Sequence, residues 1–112
     1  MSHASRHWRN QRATSIALLP LGLWFLFSLL GQPSLDHAAV AAWFARPLQA
    51  ILGALFGAVL LWHSMQGVQV VLEDYVGGGL RAFAVAVSRL LHTAAALALA
   101  VALARLLSGG AA

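Results

Sequence analysis

Three side chains in this 112-residue sequence could do chemistry at a depth where lipid should forbid them: His63, Arg89 and His92. Each lies inside a long apolar run, and an ionisable group there costs a few kcal/mol, about 2.5–3.5 on insertion scales, unless it is paired. His63 precedes Leu72 by nine residues, about 14 Å along a helix. A neutral imidazole at that depth either hydrogen-bonds a neighbouring helix or ligates haem iron, and the residue types alone leave both open. Ser64 and Gly67 beside it are small enough to let a flat macrocycle approach the helix. Twelve residues after His63 comes Tyr75, with Glu73 and Asp74 just before it. A phenol can donate to a quinone carbonyl while a neighbouring acid orients it or relays protons. Singly, tyrosine is also an ordinary interfacial anchor, and Glu-Asp before Gly-Gly-Gly an ordinary turn.

The elements that must position these groups follow from where charge is missing. Between Arg12 and Asp36 lie 23 uncharged residues, and between Arg46 and Glu73 lie 26. About 20 helical residues cross a hydrocarbon core near 30 Å, so both runs span. A third, from Leu80 to Leu107, is rich in Ala, Leu and Val and carries Arg89 and His92. The expected organisation is a basic N-terminal arm over 1–12 and a transmembrane helix over 13–31. An outer loop over 32–46 leads to a second helix over 47–72. An inner loop over 73–79, a third helix over 80–107 and a tail over 108–112 complete it. A signal peptide is the weaker reading of the first run, which exceeds the 7–15 residues of such a segment and shows no small-residue cleavage site.

Composition agrees. Hydrophobic residues make up 61% and charged residues 9%, against about 25% charged in soluble domains. A net charge of +4 is no nucleic-acid footprint, because the seven arginines stand singly and lysine is absent. The lack of cysteine excludes disulfides, thiolate zinc sites and iron–sulfur ligation by this chain. Arg6, Arg9 and Arg12 ahead of the first span put the N-terminus on the inner side. Trp8, Trp43 and Tyr75 fall near the interfaces, whereas Trp24 and Trp62 lie deeper, against a helix or a cofactor. Pro20 is expected to kink the first helix unless a neighbour satisfies the freed carbonyl. Gly53 and Gly57 form a G-x-x-x-G close-approach face.

The pattern H-x3-G-x-Q-V-x2-E-D-Y from His63 to Tyr75, preceded by Q-R-A-T-S-I-A-L from Gln11, resembles the succinate dehydrogenase hydrophobic membrane anchor subunit. The resemblance extends over nearly the whole chain, and the histidine-to-tyrosine spacing with its adjacent acid is its specific part. It implies an all-α membrane protein of three transmembrane helices, part of a multi-subunit helical bundle in respiratory complex II. By that resemblance His63 is an axial ligand of haem b, shared with a sister cytochrome b subunit. Arg12 lies by the haem propionates, with His7 or Arg6 as added members of that cluster, and Tyr75 and Asp74 belong to the ubiquinone site. An iron–sulfur subunit and a flavoprotein are the remaining implied partners. They would carry succinate oxidation, while this chain anchors them and serves the tricarboxylic acid cycle without catalysing its chemistry.

Arg89 and His92 have no counterpart in that pattern. Arg89 could snorkel toward the inner interface or meet a propionate. His92 is expected to bond within the bundle, with haem ligation as the rival reading. The expected location is a bacterial inner membrane, in keeping with a lysine-free, Ala-, Arg- and Leu-rich composition; a mitochondrial inner membrane is the lesser expectation. A small homo-oligomeric channel, holin-like or transporter protein is the competing function, and it leaves the intervals among histidine, acid and tyrosine unexplained.

Overall fold

A computed structural model describes residues 2–109 and contains four helices. They are α1 (His3–Leu30), α2 (His37–Phe44), α3 (Pro47–Tyr75) and α4 (Gly78–Leu107). Ser2 caps α1 by accepting from the Ser5 backbone N–H. Asp36 caps α2 through Ala39, and Pro47 opens α3 at a position where its missing N–H costs nothing. The long helices have 28, 29 and 30 residues, which at 1.5 Å per residue exceeds the hydrocarbon thickness. The surplus of α1 is the basic arm, which continues the first span as one helix from His3. Pro20 does not interrupt it.

Two other expectations shift. The segment 32–46 is not all loop, because His37–Phe44 forms α2. The inner connection over 73–79 contracts to Val76 and Gly77, with Glu73, Asp74 and Tyr75 still helical at the end of α3. Gly78 makes that reversal at φ +63°, where a side chain would be strained. Of the tail, residues 110–112 lie outside the described region.

Of the three long helices, α3 packs against both α1 and α4, while α1 and α4 make no close approach. The register is antiparallel on both seams: Gly22 and Phe25 of α1 face Phe56 of α3, and Gly57 of α3 faces Leu99 of α4. A Cβ on Gly57 would collide with the Leu99 side chain, and one on Gly53 would sit 2.6 Å from Phe44. The G-x-x-x-G face therefore serves two contacts within the chain, one to α4 and one to α2.

Trp43 corrects another expectation. It is 7% exposed and stacks on Trp24 with ring centroids 5.5 Å apart, so it is packed rather than an interfacial anchor. Phe25, Phe44 and Phe56 extend this aromatic cluster. Elsewhere the helices enclose little dry core. Trp43, Ala50 and Leu103 are the buried apolar residues among those described, and Gln66 and Ser88 are buried as well. Large apolar side chains such as Ile16, Phe27, Ile51 and Leu90 face outward, as lipid or a neighbouring helix allows.

Candidate functional site

On α1 the residues His7, Gln11 and Thr14 recur at helical spacing, and Gln11 and Thr14 meet α3. Thr14 Oγ1 lies 2.9 Å from His63 Nδ1. The same oxygen lies 2.9 Å from the Asn10 carbonyl and 3.1 Å from that of Gln11. One turn inward, Gly67 lets Gln11 come close: a Cβ there would stand 3.4 Å from Gln11 Nε2. Gly67 thus makes room for α1. Beyond it, His7, Gln11, Val70 and Glu73 line a cleft of about 550 Å³ between the start of α1 and the end of α3. Buried His7 Nε2, Gln11 Oε1 and Gln66 Oε1 have no hydrogen-bond partner among the described residues. Buried groups of this kind are ordinarily completed by water or by a partner's donors.

His92 has a different environment, between α3 and α4. Its Nδ1 is 2.8 Å from the Ser88 carbonyl, which can only accept, so Nδ1 carries the proton. Its Nε2 is then an acceptor for the Ser64 hydroxyl at 3.0 Å. Both ring nitrogens are engaged within the bundle. Ser64 is consequently turned toward α4, on a different seam from Thr14. His63 Nε2, by contrast, makes no hydrogen bond to any described residue and is not sealed from the surface.

Arg89 reaches along the outside of the second seam. Its Nη2 donates to Gln69 Oε1 at 3.1 Å, and Gln69 Nε2 donates to Glu73 Oε1 at 2.9 Å. The guanidinium is thereby linked through one amide to an acid one turn nearer the C-terminus of α3. These three residues and Arg81 line an open groove of about 740 Å³. It lies on the α4 side of α3, whereas the His63 ring meets α1. The structure keeps Arg89 and the His63–Thr14 pair on different seams.

The other sequence-derived site residues are exposed. Arg12 is exposed and places its guanidinium 5.3 Å from the centroid of the Trp8 ring. It is two residues from Thr14, about 200° around α1, so it points away from α3. Tyr75 is 85% exposed and Asp74 is exposed beside it at the end of α3. No group of three His, Asp or Glu side chains able to cage a metal occurs among the described residues. Thr14, Gln11, Gln66, Ser64 and Gln69 were not singled out as site residues from sequence. For Thr14 and Gln11 the available signal was a polar stripe continuing from the arm into an apolar helix.

These features define an all-α membrane protein with three long apolar helices and an available imidazole nitrogen on the middle one. The sequence matches the family described as "Succinate dehydrogenase/Fumarate reductase transmembrane subunit" over residues 1–104. The chain belongs to that family, as a succinate dehydrogenase membrane anchor. It is 36% identical over 72 residues to the "Succinate dehydrogenase hydrophobic membrane anchor subunit" of Rickettsia bellii, covering 64% of this chain and 58% of that protein. It is 31% identical over 100 residues to the protein of the same name from Paracoccus denitrificans, covering 89% and 77%. The match therefore spans less than two thirds of the Rickettsia relative's length. No solved structure gives a significant match.

Proposed function

We propose that this chain holds a succinate:quinone oxidoreductase in the membrane, that His63 would be one of the residues holding haem b, and that Tyr75 and Asp74 contribute to a ubiquinone-reduction site. The observation that supports it best is the state of the two mid-membrane histidines. His92 has both nitrogens occupied, while His63 has Nδ1 held and Nε2 available. The donor set suits haem, since a neutral imidazole is the usual nitrogen ligand. Haem bound there would supply a site able to take and release one electron.

The rest is work for the chain's own residues. Thr14 and the α1–α3 seam hold the imidazole. Arg12 offers a guanidinium at the inner end of α1, where a propionate could pair with it bidentately. Its direction, away from α3, means that such a propionate would reach it around α1. The Tyr75 hydroxyl can donate to a quinone carbonyl, and Asp74 can pass it a proton from the inner aqueous side. A sister cytochrome b subunit would bring the second haem ligand. It would also cover apolar surface that these helices leave open. The iron–sulfur and flavoprotein subunits would dock on the inner face, in a bacterial inner membrane with the N-terminus inside.

The test is co-expression with the neighbouring subunits, followed by purification on this chain and a reduced-minus-oxidised spectrum. Dehydrogenase subunits should co-purify with a haem b signal, and His63→Ala should abolish that signal. Tyr75→Phe should reduce quinone-linked turnover while leaving succinate oxidation by an artificial dye intact. Failure of any dehydrogenase subunit to co-purify would refute the reading.

A further inference from the structure

We propose that Thr14 is a positioning residue that fixes the tautomer of His63 and so presents Nε2 as the bare, ligating nitrogen. The proposal rests on the reading of His63 as a haem ligand. A threonine hydroxyl has one proton and two lone pairs. Thr14 Oγ1 is within hydrogen-bond distance of two carbonyls of its own helix, Asn10 at 2.9 Å and Gln11 at 3.1 Å. Carbonyls cannot donate, so either of these contacts is a hydrogen bond only when the hydroxyl proton points back along α1. This back-bonding to the preceding turn is the usual habit of a mid-helix threonine. Once the proton is directed backward, Oγ1 has only lone pairs to offer to the third neighbour, His63 Nδ1 at 2.9 Å. That contact is a hydrogen bond only if Nδ1 carries the imidazole proton. The second nitrogen, Nε2, must then be unprotonated.

His92 provides an internal comparison. There the Ser88 carbonyl forces the same Nδ1–H tautomer, and the resulting bare Nε2 is taken by Ser64. At His63 the same tautomer is set from a different helix, and no described residue takes Nε2. Orientation and tautomer of a ligating imidazole are ordinarily set by the hydrogen bond that its other nitrogen donates. Here the acceptor would be a neutral hydroxyl whose own position is pinned by two backbone carbonyls. A hydroxyl that accepts from Nδ1–H also raises the basicity of the ring, favouring the oxidised metal.

Two measurements test this, neither of them turnover. In the full chain labelled with 15N-histidine and free of haem, the His63 resonances, assigned by their loss in His63→Gln, should show Nδ1 protonated and Nε2 bare. A protonated Nε2 overturns the proposal. In the purified complex, Thr14→Val should weaken haem retention about 10- to 100-fold and move the haem midpoint potential upward. Thr14→Ser, which keeps the hydroxyl, should restore both. A Thr14→Val complex with unchanged haem affinity and potential overturns the role of Thr14, provided that His63→Ala loses haem. Haem retained in His63→Ala overturns the ligand assignment itself, whatever the tautomer proves to be.

Discussion

The Ser64 hydroxyl of α3 donates to Nε2 of His92 on α4, at 3.0 Å, and this bond closes a chain running from a backbone carbonyl through an imidazole to a serine. A charged-capable side chain in a membrane helix is here spent on holding two helices together. In the membrane such interhelical bonds average about 0.6 kcal/mol and reach about 1.7. We expect His92→Ala and Ser64→Ala each to destabilise the α3–α4 seam by about 0.5–1.5 kcal/mol, with no loss of haem from the assembled complex. Unfolding in mixed micelles measures the first, and a reduced-minus-oxidised spectrum the second. Loss of haem in His92→Ala, with the seam intact, would return that histidine to consideration as a ligand.

Gly57 predicts a steric defect that can be repaired. Its missing side chain is what admits Leu99, so Gly57→Ala should cost about 1–3 kcal/mol through overpacking. Leu99→Ala removes the obstructing atoms, and the double variant should be more stable than Gly57→Ala alone. A double-mutant cycle on unfolding free energy reads the coupling; simple additivity would mean that the helices can separate there without strain.

Arg89 and Gln69 should respond asymmetrically. Replacing the guanidinium with an apolar chain of similar length, Arg89→Met, removes a charge that is costly at this depth and should leave stability unchanged or raised. Gln69→Leu keeps the charge and deletes the amide that links it to Glu73, so it should destabilise by about 2–3 kcal/mol. Comparing the unfolding of the two variants is sufficient. Equal effects would indicate that Gln69 does nothing for the guanidinium.

Asp36 should make the short helix α2 sensitive to acid. The Ala39 backbone N–H, then the Ser34 hydroxyl, hold its carboxyl below the ordinary value of 3.8, with the neighbouring His37 charge acting in the same direction. A lowered folded-state value means that the stabilisation is complete above 3.8 and disappears as the pH falls through the lower folded value. Tryptophan fluorescence from the Trp24–Trp43 stack should therefore change at strongly acidic pH. Asp36→Asn, which still caps but does not titrate, should abolish that change.

The spans were legible because the boundaries of the hydrocarbon are written in charge: Arg12, Arg46 and Glu73 stand close to where the apolar helices leave it. What escaped the sequence were contacts between elements. Trp43 looks like an interfacial anchor by composition, yet α2 folds back and stacks it on Trp24, a tertiary event with no local signature. Gly53 and Gly57 announced a close approach, but nothing in the motif says whether the visitor comes from the same chain. His63 stood out by its depth and by the motif around it. Thr14, 49 positions earlier, is an ordinary helix residue until the antiparallel register of α1 and α3 is known. Arg89 was expected to reach along its helix toward an interface, and the residue its guanidinium meets is Gln69, which no spacing rule identifies.

Because α4 never approaches α1, the seam holding Thr14 against His63 needs nothing from residues beyond Tyr75. Chains emerge from the ribosome N-terminus first and insert in order. The imidazole can therefore be seated before the helix bearing Arg89 and His92 has been synthesised, which separates the biogenesis of the Thr14–His63 seam from that of the α3–α4 seam.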